Sequence, residues 1–230
     1  SVIVPCYNEA EGLDAFHQRL SAVCLKYQSR CYEVIYIDDG SSDQTWDIIQ
    51  ALSRQDSHVH GLSLSRNFGH SMALTAGLEF AHGDRIFIID ADLQDPPELL
   101  DNMMSVLDAG ADVAYGKRIY REGETYFKKI TASLFYRLVN YLSDTPLPKD
   151  AGDFRLMTRR VLDTLLSMPE TTRYTRGMIA WIGFKQVSVE YSRKPRFSGK
   201  THYTFRKMLD LAVSAVLSFS IRPLRLAVHL

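Results

Sequence analysis

These 230 residues contain neither a G-x-G-x-x-G nor a G-x-x-x-x-G-K-[ST] segment. A glycine-rich loop of the Rossmann or P-loop kind is therefore excluded as the means of holding phosphate. Cysteine is scarce, at three residues (Cys6, Cys24, Cys31) with no C-x-x-C. An odd, unmotivated set of this kind fits a reducing compartment and simple packing roles, not a disulfide framework. No run of about 18 uncharged apolar residues occurs, so nothing in the chain is expected to span a bilayer. Ser1 leads straight into the apolar VIVP, so no signal peptide is expected here, and the true start is expected upstream. Internal repeats, low-complexity tracts and recognised nucleic-acid motifs are also missing, which argues against nucleic-acid binding.

Net charge is zero, but the two halves differ in sign. Residues 1 to 101 carry 6 Lys/Arg against 16 Asp/Glu, and residues 102 to 230 carry 21 against 11. The first half is built to hold a cation and the second to hold anions. At 46% hydrophobic, the chain has enough apolar residues for one domain with a sizeable core, or a domain with an appendage.

The organising stretch is Arg85 to Glu98, RIFIIDADLQDPPE, an apolar run that ends in four acids. A buried parallel strand delivers carboxylates to its carboxyl edge in this way, and open α/β sheets bind ligands at that edge. In an extended segment Asp90 and Asp92 leave the same face, and Gln94 continues the row. Two carboxylates and an amide oxygen are hard ligands, suited to Mg²⁺ or Mn²⁺ shared with a substrate's phosphates. An isolated D-x-D is more readily a pair of turn and cap residues, so the weight lies in what surrounds it. Pro96-Pro97 followed by ELL predicts a helix start.

Elsewhere in the first half, Val2 to Pro5, Glu33 to Asp39 and Val59 to Ser65 read as strands. Leu13, Phe16, Leu20, Val23 and Tyr27 mark a helix. Ser42 is expected to cap a second helix, with Trp46, Ile49 and Leu52 facing inward. Ser71 to His82 reads as a third. The alternation predicts a mostly parallel α/β sheet. Its strand ends carry Tyr7-Asn8-Glu9, Asp38-Asp39 and Asp90-Ala91-Asp92. An acidic pair such as Asp38-Asp39 suits a ribose or base, and suits a helix-preceding turn equally well.

After Gly110, VAYGKR reads as a strand ending in Lys117-Arg118. Phe127 to Tyr141 reads as a long helix carrying Lys128 and Lys129. A turn-rich stretch then brings Asp153 to the start of FRLMT, where it reads as a cap or turn residue. Two helices (Arg160 to Met168, Tyr174 to Trp181) and a strand (Phe184 to Tyr191) follow, then the basic loop SRKPRFSGKTHY. The apolar tail from Phe205 to Leu230 is spaced with Arg206, Lys207, Arg222 and Arg225. It is either a core-packing helix or an amphipathic helix in a membrane interface, and periodicity does not separate the two. Because the chain stops in LRLAVHL, a membrane segment is expected downstream.

PCYNE, YIDDGSSD, LSRNFGH, DADLQDPPE, YGKR, AGDFRLM and RFSGKTHY, in this order, resemble the polyprenyl-phosphate glycosyltransferases of glycosyltransferase family 2. Among them the bactoprenol glucosyltransferases look closest. The resemblance implies a GT-A fold over 1-204 with amphipathic juxtamembrane helices over 205-230. It implies an inverting transfer of a sugar, with glucose from UDP-glucose as the expected donor, onto a polyprenyl phosphate at the cytoplasmic face of the cell membrane. Homo-oligomerisation is left open. By resemblance Pro5, Tyr7, Glu9, Ile37, Asp39, Asp90 and Ala91 are nucleotide-sugar contacts, Asp92 and Gln94 hold Mg²⁺ or Mn²⁺, and Asp92 and Asp153 are catalytic. Arg118, Lys128, Lys129, Ser133, Arg196 and Lys200 resemble the lipid-phosphate contacts, with His202 standing where the pattern has Lys. Two other readings are a family 2 enzyme acting on a glycan, and a non-catalytic nucleotide-sugar-binding module. The Q-x-x-R-W block of processive synthases is absent, and the intact Asp92 and Gln94 speak against a non-catalytic role.

Overall fold

The computed structural model describes residues 1–120, 151–170 and 173–192. The apolar runs become β1 (Val2–Cys6), β2 (Val34–Asp38), β3 (Val59–Ser63) and β4 (Arg85–Ile88). Between them lie α1 (Leu13–Cys24), α2 (Thr45–Gln55) and α3 (His70–Phe80). A 3-10 turn at Pro97–Leu99 leads into α4 (Leu100–Asp108), as the proline pair predicts. There follow β5 (Val113–Tyr120), β6 (Ala151–Thr158), α5 (Arg159–Ser167), α6 (Thr175–Ile182) and β7 (Gln186–Ser192).

The seven strands form one sheet in the order β3-β2-β1-β4-β6-β5-β7. All neighbouring pairs run parallel except those of β6, which is antiparallel to both β4 and β5. The expected mostly parallel sheet is present, with one reversed strand, β6, fifth in the order. That reversal is what positions Asp153. Ile88 on β4 faces Arg155 on β6. Continuing this register two residues brings the segment after β4 beside the start of β6, so Asp90 and Asp153 meet at one edge.

Side chains of alternate strand residues fill two layers. Val2, Val4, Phe87, Phe154 and Leu156 pack under α1 and α4, while Ile3, Ile37, Ile88, Val113 and Met157 pack under α3, α5 and α6. Gly77 lets α3 lie close on the sheet, since a Cβ there would stand 2.5 Å from Ile37 Cδ1 and 2.7 Å from Ile3 Cγ2. Helix α1 stops at Cys24 and gives way to a 3-10 turn at Leu25–Arg30 instead of continuing helically to Tyr27. Ser42 does not cap α2. The helix begins at Thr45, whose amide donates to Asp43 Oδ1 at 3.0 Å. Among the described residues no helix is long and apolar enough to cross a membrane. The expected helix from Phe127 and the tail from Phe205 lie outside the described residues.

Candidate active site

Because β1, β2 and β4 are parallel, their carboxyl ends open on one edge. The loops there are tied together. Asn8, at φ 55, donates its amide to Ser41 Oγ at 3.0 Å and accepts from the Ser42 amide at 2.8 Å. The Glu9 amide donates to Thr45 Oγ1 at 2.9 Å, and Ala10 donates to Asp43 Oδ2 at 3.2 Å. The loops after β1 and β2 therefore form one wall, with Tyr7 and Glu9 half-buried on it.

Asp39 anchors a third loop to this wall. Its two oxygens accept the amides of Phe68 (2.7 Å) and Gly69 (2.9 Å), in the RNFGH segment that leads into α3. Burial raises the Asp39 pKa, and the two amides offset part of the rise. Gly40, at φ 66, is required here because a Cβ would sit 2.4 Å from the Arg66 carbonyl carbon.

The Asp90-to-Gln94 segment is not extended as the sequence reading assumes. Strand β4 ends at Ile88, and Asp90 to Gln94 form a turn with Leu93 at φ 60. The turn folds the Gln94 backbone amide onto Asp92 Oδ1 at 3.1 Å. A non-glycine residue in this conformation costs roughly 1–3 kcal/mol. Leu93 is buried in the core, which opposes that cost. Burial first, then the carboxylates of Asp92, Asp95 and Asp153, push Asp90 up to about 6 against the opposing charge of His70. Such crowding of negative charge, with hard oxygen donors at Asp92 and Gln94, fits a divalent cation. Among the described residues no three of His, Cys, Asp and Glu are grouped to hold a metal by themselves.

Asp153 lies in β6, not in a turn, and points to the α3 side. Its Oδ2 accepts from Arg176 on α6 at 2.7 Å and lies 3.4 Å from Nε2 of His70, the first residue of α3. His70 Nε2 is also 3.9 Å from Asp90 Oδ1. Burial would raise the Asp153 pKa, but Arg176, His70 and the buried Arg155 outweigh it and hold this carboxyl well below the usual range. Burial likewise opposes the His70 charge. The hydrogen bond to Asp153 and the charges of Asp90 and Asp153 prevail and raise His70 to about 9.

Arg118, at the end of β5, reaches the same edge from the other side of β6. Its Nε donates to Tyr191 Oη at 3.2 Å, and a terminal nitrogen lies 3.9 Å from Asp95 Oδ2. Tyr191 in turn donates to Asp95 Oδ1. Asp95 is 1% exposed and Arg118 17%. A cation from the basic half is thus seated against the acidic loop, one residue from Gln94.

The structure brings Tyr7, Glu9, Asp39, Asp90, Asp92, Gln94, Arg118 and Asp153 to one edge. Two of the expected nucleotide-sugar contacts have side chains turned into the core. Ile37 is fully buried under α3 and Ala91 is packed in the opposite core layer, so neither side chain faces a ligand. Pro5 is buried within β1. Lys128, Lys129, Ser133, Arg196, Lys200 and His202 lie outside the described residues. Sequence reasoning assigned no role to His70, Asp95, Arg176 or Tyr191. His70 stood in a block that carried the resemblance, and Asp95 among the four acids. Nothing local marked Arg176 or Tyr191, whose partners are 23 and 96 residues away.

Residues 1–166 match the sequence profile of Glycosyl transferase family 2. The uncharacterized glycosyltransferase YkcC of Bacillus subtilis (strain 168) is 44% identical over 99% of this chain and 70% of its own length. The prophage bactoprenol glucosyl transferase homolog of Escherichia coli (strain K12) is 40% identical over 98% of this chain and 74% of its own length. The solved mannosyltransferase PcManGT from Pyrobaculum calidifontis, in complex with GDP-Man and Mn²⁺, aligns with a TM-score of 0.63 at 18% identity, covering 94% of this chain and 62% of that one. S. aureus TarS 1-349 in complex with UDP-GlcNAc gives 0.62 at 19%, covering 95% and 66%. The two solved structures establish likeness of fold, and this chain spans just under two thirds of each.

Proposed function

The chain belongs to glycosyltransferase family 2 and has a GT-A-like α/β fold. From that membership we propose that it moves a hexose from a nucleotide-sugar to a polyprenyl phosphate at a membrane surface, with inversion at the anomeric carbon. The observation that carries the proposal is the seating of Arg118 against Asp95, which joins a cation of the second half to the Asp92–Gln94 turn. A donor diphosphate with its cation and an acceptor phosphate need these two charges side by side. The bactoprenol glucosyl transferase names among its relatives support a polyprenyl acceptor and glucose, with UDP-glucose as the proposed donor. The Mn²⁺ complex of PcManGT supports dependence on Mg²⁺ or Mn²⁺.

In this reading an acceptor phosphate oxygen bonds to the anomeric carbon as the bond to the nucleotide diphosphate breaks. Tyr7, Glu9 and Asp39 form the wall that receives the nucleoside, and Asp90 meets the sugar-diphosphate. Asp92 and Gln94 would hold a divalent cation, which when bound would supply Lewis-acid stabilisation of the departing charge. A phosphate monoester's second pKa is near 6, so the acceptor is already largely deprotonated at neutral pH. Asp153 then orients the acceptor and is not required to take a proton. Arg118 grips the acceptor phosphate, assisted by Lys128, Lys129, Ser133, Arg196 and Lys200. Residues 1-204 act as the catalytic domain and 205-230 lie along the cytoplasmic face of the membrane.

The test is incubation with a panel of UDP- and GDP-sugars plus undecaprenyl phosphate, with Mg²⁺, with Mn²⁺ and with neither, scoring glycolipid. Transfer from UDP-glucose that needs a divalent ion is expected. Sugar transfer only to a soluble glycan, or donor binding without any transfer, overturns the proposal.

A further inference from the structure

His70 has no place in the reaction as derived above, yet it stands between the two carboxylates that flank the chemistry. Its Nε2 is 3.4 Å from Asp153 Oδ2 on β6 and 3.9 Å from Asp90 Oδ1 after β4. It is the first residue of α3, at the end of a loop that Asp39 fixes through two amides. The ring is still 44% exposed, so it faces the opening and is not sealed in the core. Asp153 does not need His70 to stay ionised, because Arg176 already donates to the same oxygen at 2.7 Å.

The charge balance gives the histidine a different task. Asp90, Asp92, Asp95 and Asp153 crowd this edge, and both substrates of the proposed reaction are phosphates, which such a cluster repels. Among the described residues, the charged groups facing His70 are Asp90 from the turn after β4, Asp153 from β6, Arg176 from α6 and Asp39 from the end of β2. Three of these four are acids, and they keep the imidazole charged, with its pKa near 9. Placed at the helix start, its charge adds to the positive end of the α3 dipole.

Resting on the glycosyl-transfer reading above, we propose that His70 is a phosphate-binding residue whose imidazolium contacts a phosphate group of a substrate. The group is either the diphosphate of the nucleotide-sugar or the monoester of the polyprenyl phosphate, both of which accept charge-assisted hydrogen bonds in the same way.

Three proteins decide it: wild type, His70→Gln, which keeps a donor without charge, and His70→Lys, which keeps the charge. UDP affinity is measured by calorimetry in Mg²⁺, and the KM for undecaprenyl phosphate in detergent at saturating UDP-glucose. Loss of one charge-assisted contact should weaken one of the two about tenfold in His70→Gln, with substantial recovery in His70→Lys. Weakened UDP binding assigns the contact to the donor diphosphate, and a raised acceptor KM with unchanged UDP binding assigns it to the lipid phosphate. Both constants unchanged overturns the proposal. A fall in kcat alone overturns it too, because His70 would then act only through Asp153. A wild-type chain that binds UDP but never glycosylates the lipid defeats the functional reading instead, and the UDP arm still tests His70.

Discussion

Arg176 donates to the Asp153 carboxylate at 2.7 Å, and His70 shares the same oxygen. This double pairing holds the Asp153 pKa well below the ordinary carboxylate value. A depressed pKa means that the charge, and the stability it contributes, are present above the unfolded value near 4 and are lost only in stronger acid. No limb of a rate profile between pH 5 and 8 should therefore belong to Asp153. Asp153→Asn is expected to lower kcat roughly tenfold, less than the hundredfold or more expected for a lost electrostatic group such as Asp92. Steady-state kinetics of the two variants across that range test this. Equal inactivity of Asp153→Asn and Asp92→Asn contradicts an orienting role. Thermal melting separately reports the cost of leaving Arg155 and Arg176 short of a carboxylate.

Arg118 should govern the acceptor and not the donor. Arg118→Ala is expected to raise the KM for polyprenyl phosphate roughly tenfold or more, the worth of a charge-assisted pair, with UDP affinity unchanged. Its placement can be disturbed without deleting it. A Cβ at Gly152 would stand 3.0 Å from an Arg118 terminal nitrogen, the movable end of a flexible side chain. Gly152→Ala should therefore raise the acceptor KM by a smaller factor while melting close to wild type. An unchanged acceptor KM in Arg118→Ala removes the arginine from the acceptor site.

The end of β2 should matter for stability as well as for binding. Asp39 accepts two backbone amides, from Phe68 and Gly69. An asparagine in its place offers one oxygen, so one buried amide loses its partner at a cost of about 1–3 kcal/mol. Asp39→Asn is expected to melt several degrees lower and to expose the 66–69 loop to limited proteolysis. If melting and cleavage match wild type while UDP affinity falls, Asp39 serves the nucleotide directly and the loop holds without it.

What the sequence discloses and what it hides divide along the length scale of the contacts. Strands β1 and β2 and the four acids after β4 are legible because an uncharged run and the polar turn that closes it are local properties. The hydrophobic spacing of α1 and α2 was equally visible, and only their ends moved. Reversal of β6 was hidden, because pairing direction depends on the neighbours a strand finds, here β4 and β5, and not on its own residues. Asp153 consequently read as a turn residue when it is a strand residue facing α3. His70, Arg176 and Tyr191 meet partners 83, 23 and 96 residues away. No spacing rule joins such positions. Ile37 and Ala91 each adjoin an edge residue, while their own side chains point into the core, a distinction that a sequence block does not make.

The turn that joins Asp92 to Gln94 supports a final expectation. Asp92 Oδ1 receives the Gln94 amide at 3.1 Å, and Leu93 adopts φ 60 to allow it. Among the described residues, His70 and Arg118 stand at this edge, and each faces a carboxylate at 3.4 to 3.9 Å. A diphosphate departing beside Asp90, Asp92 and Asp95 adds negative charge to an already acidic edge, so transfer should stop in excess EDTA and return on adding Mg²⁺ or Mn²⁺. Asp92→Asn should lower kcat roughly a hundredfold or more and shift half-activation to higher metal concentration. Full activity after exhaustive chelation would mean that the side-chain cations carry the leaving group, and the cation would then have to be dropped from the mechanism.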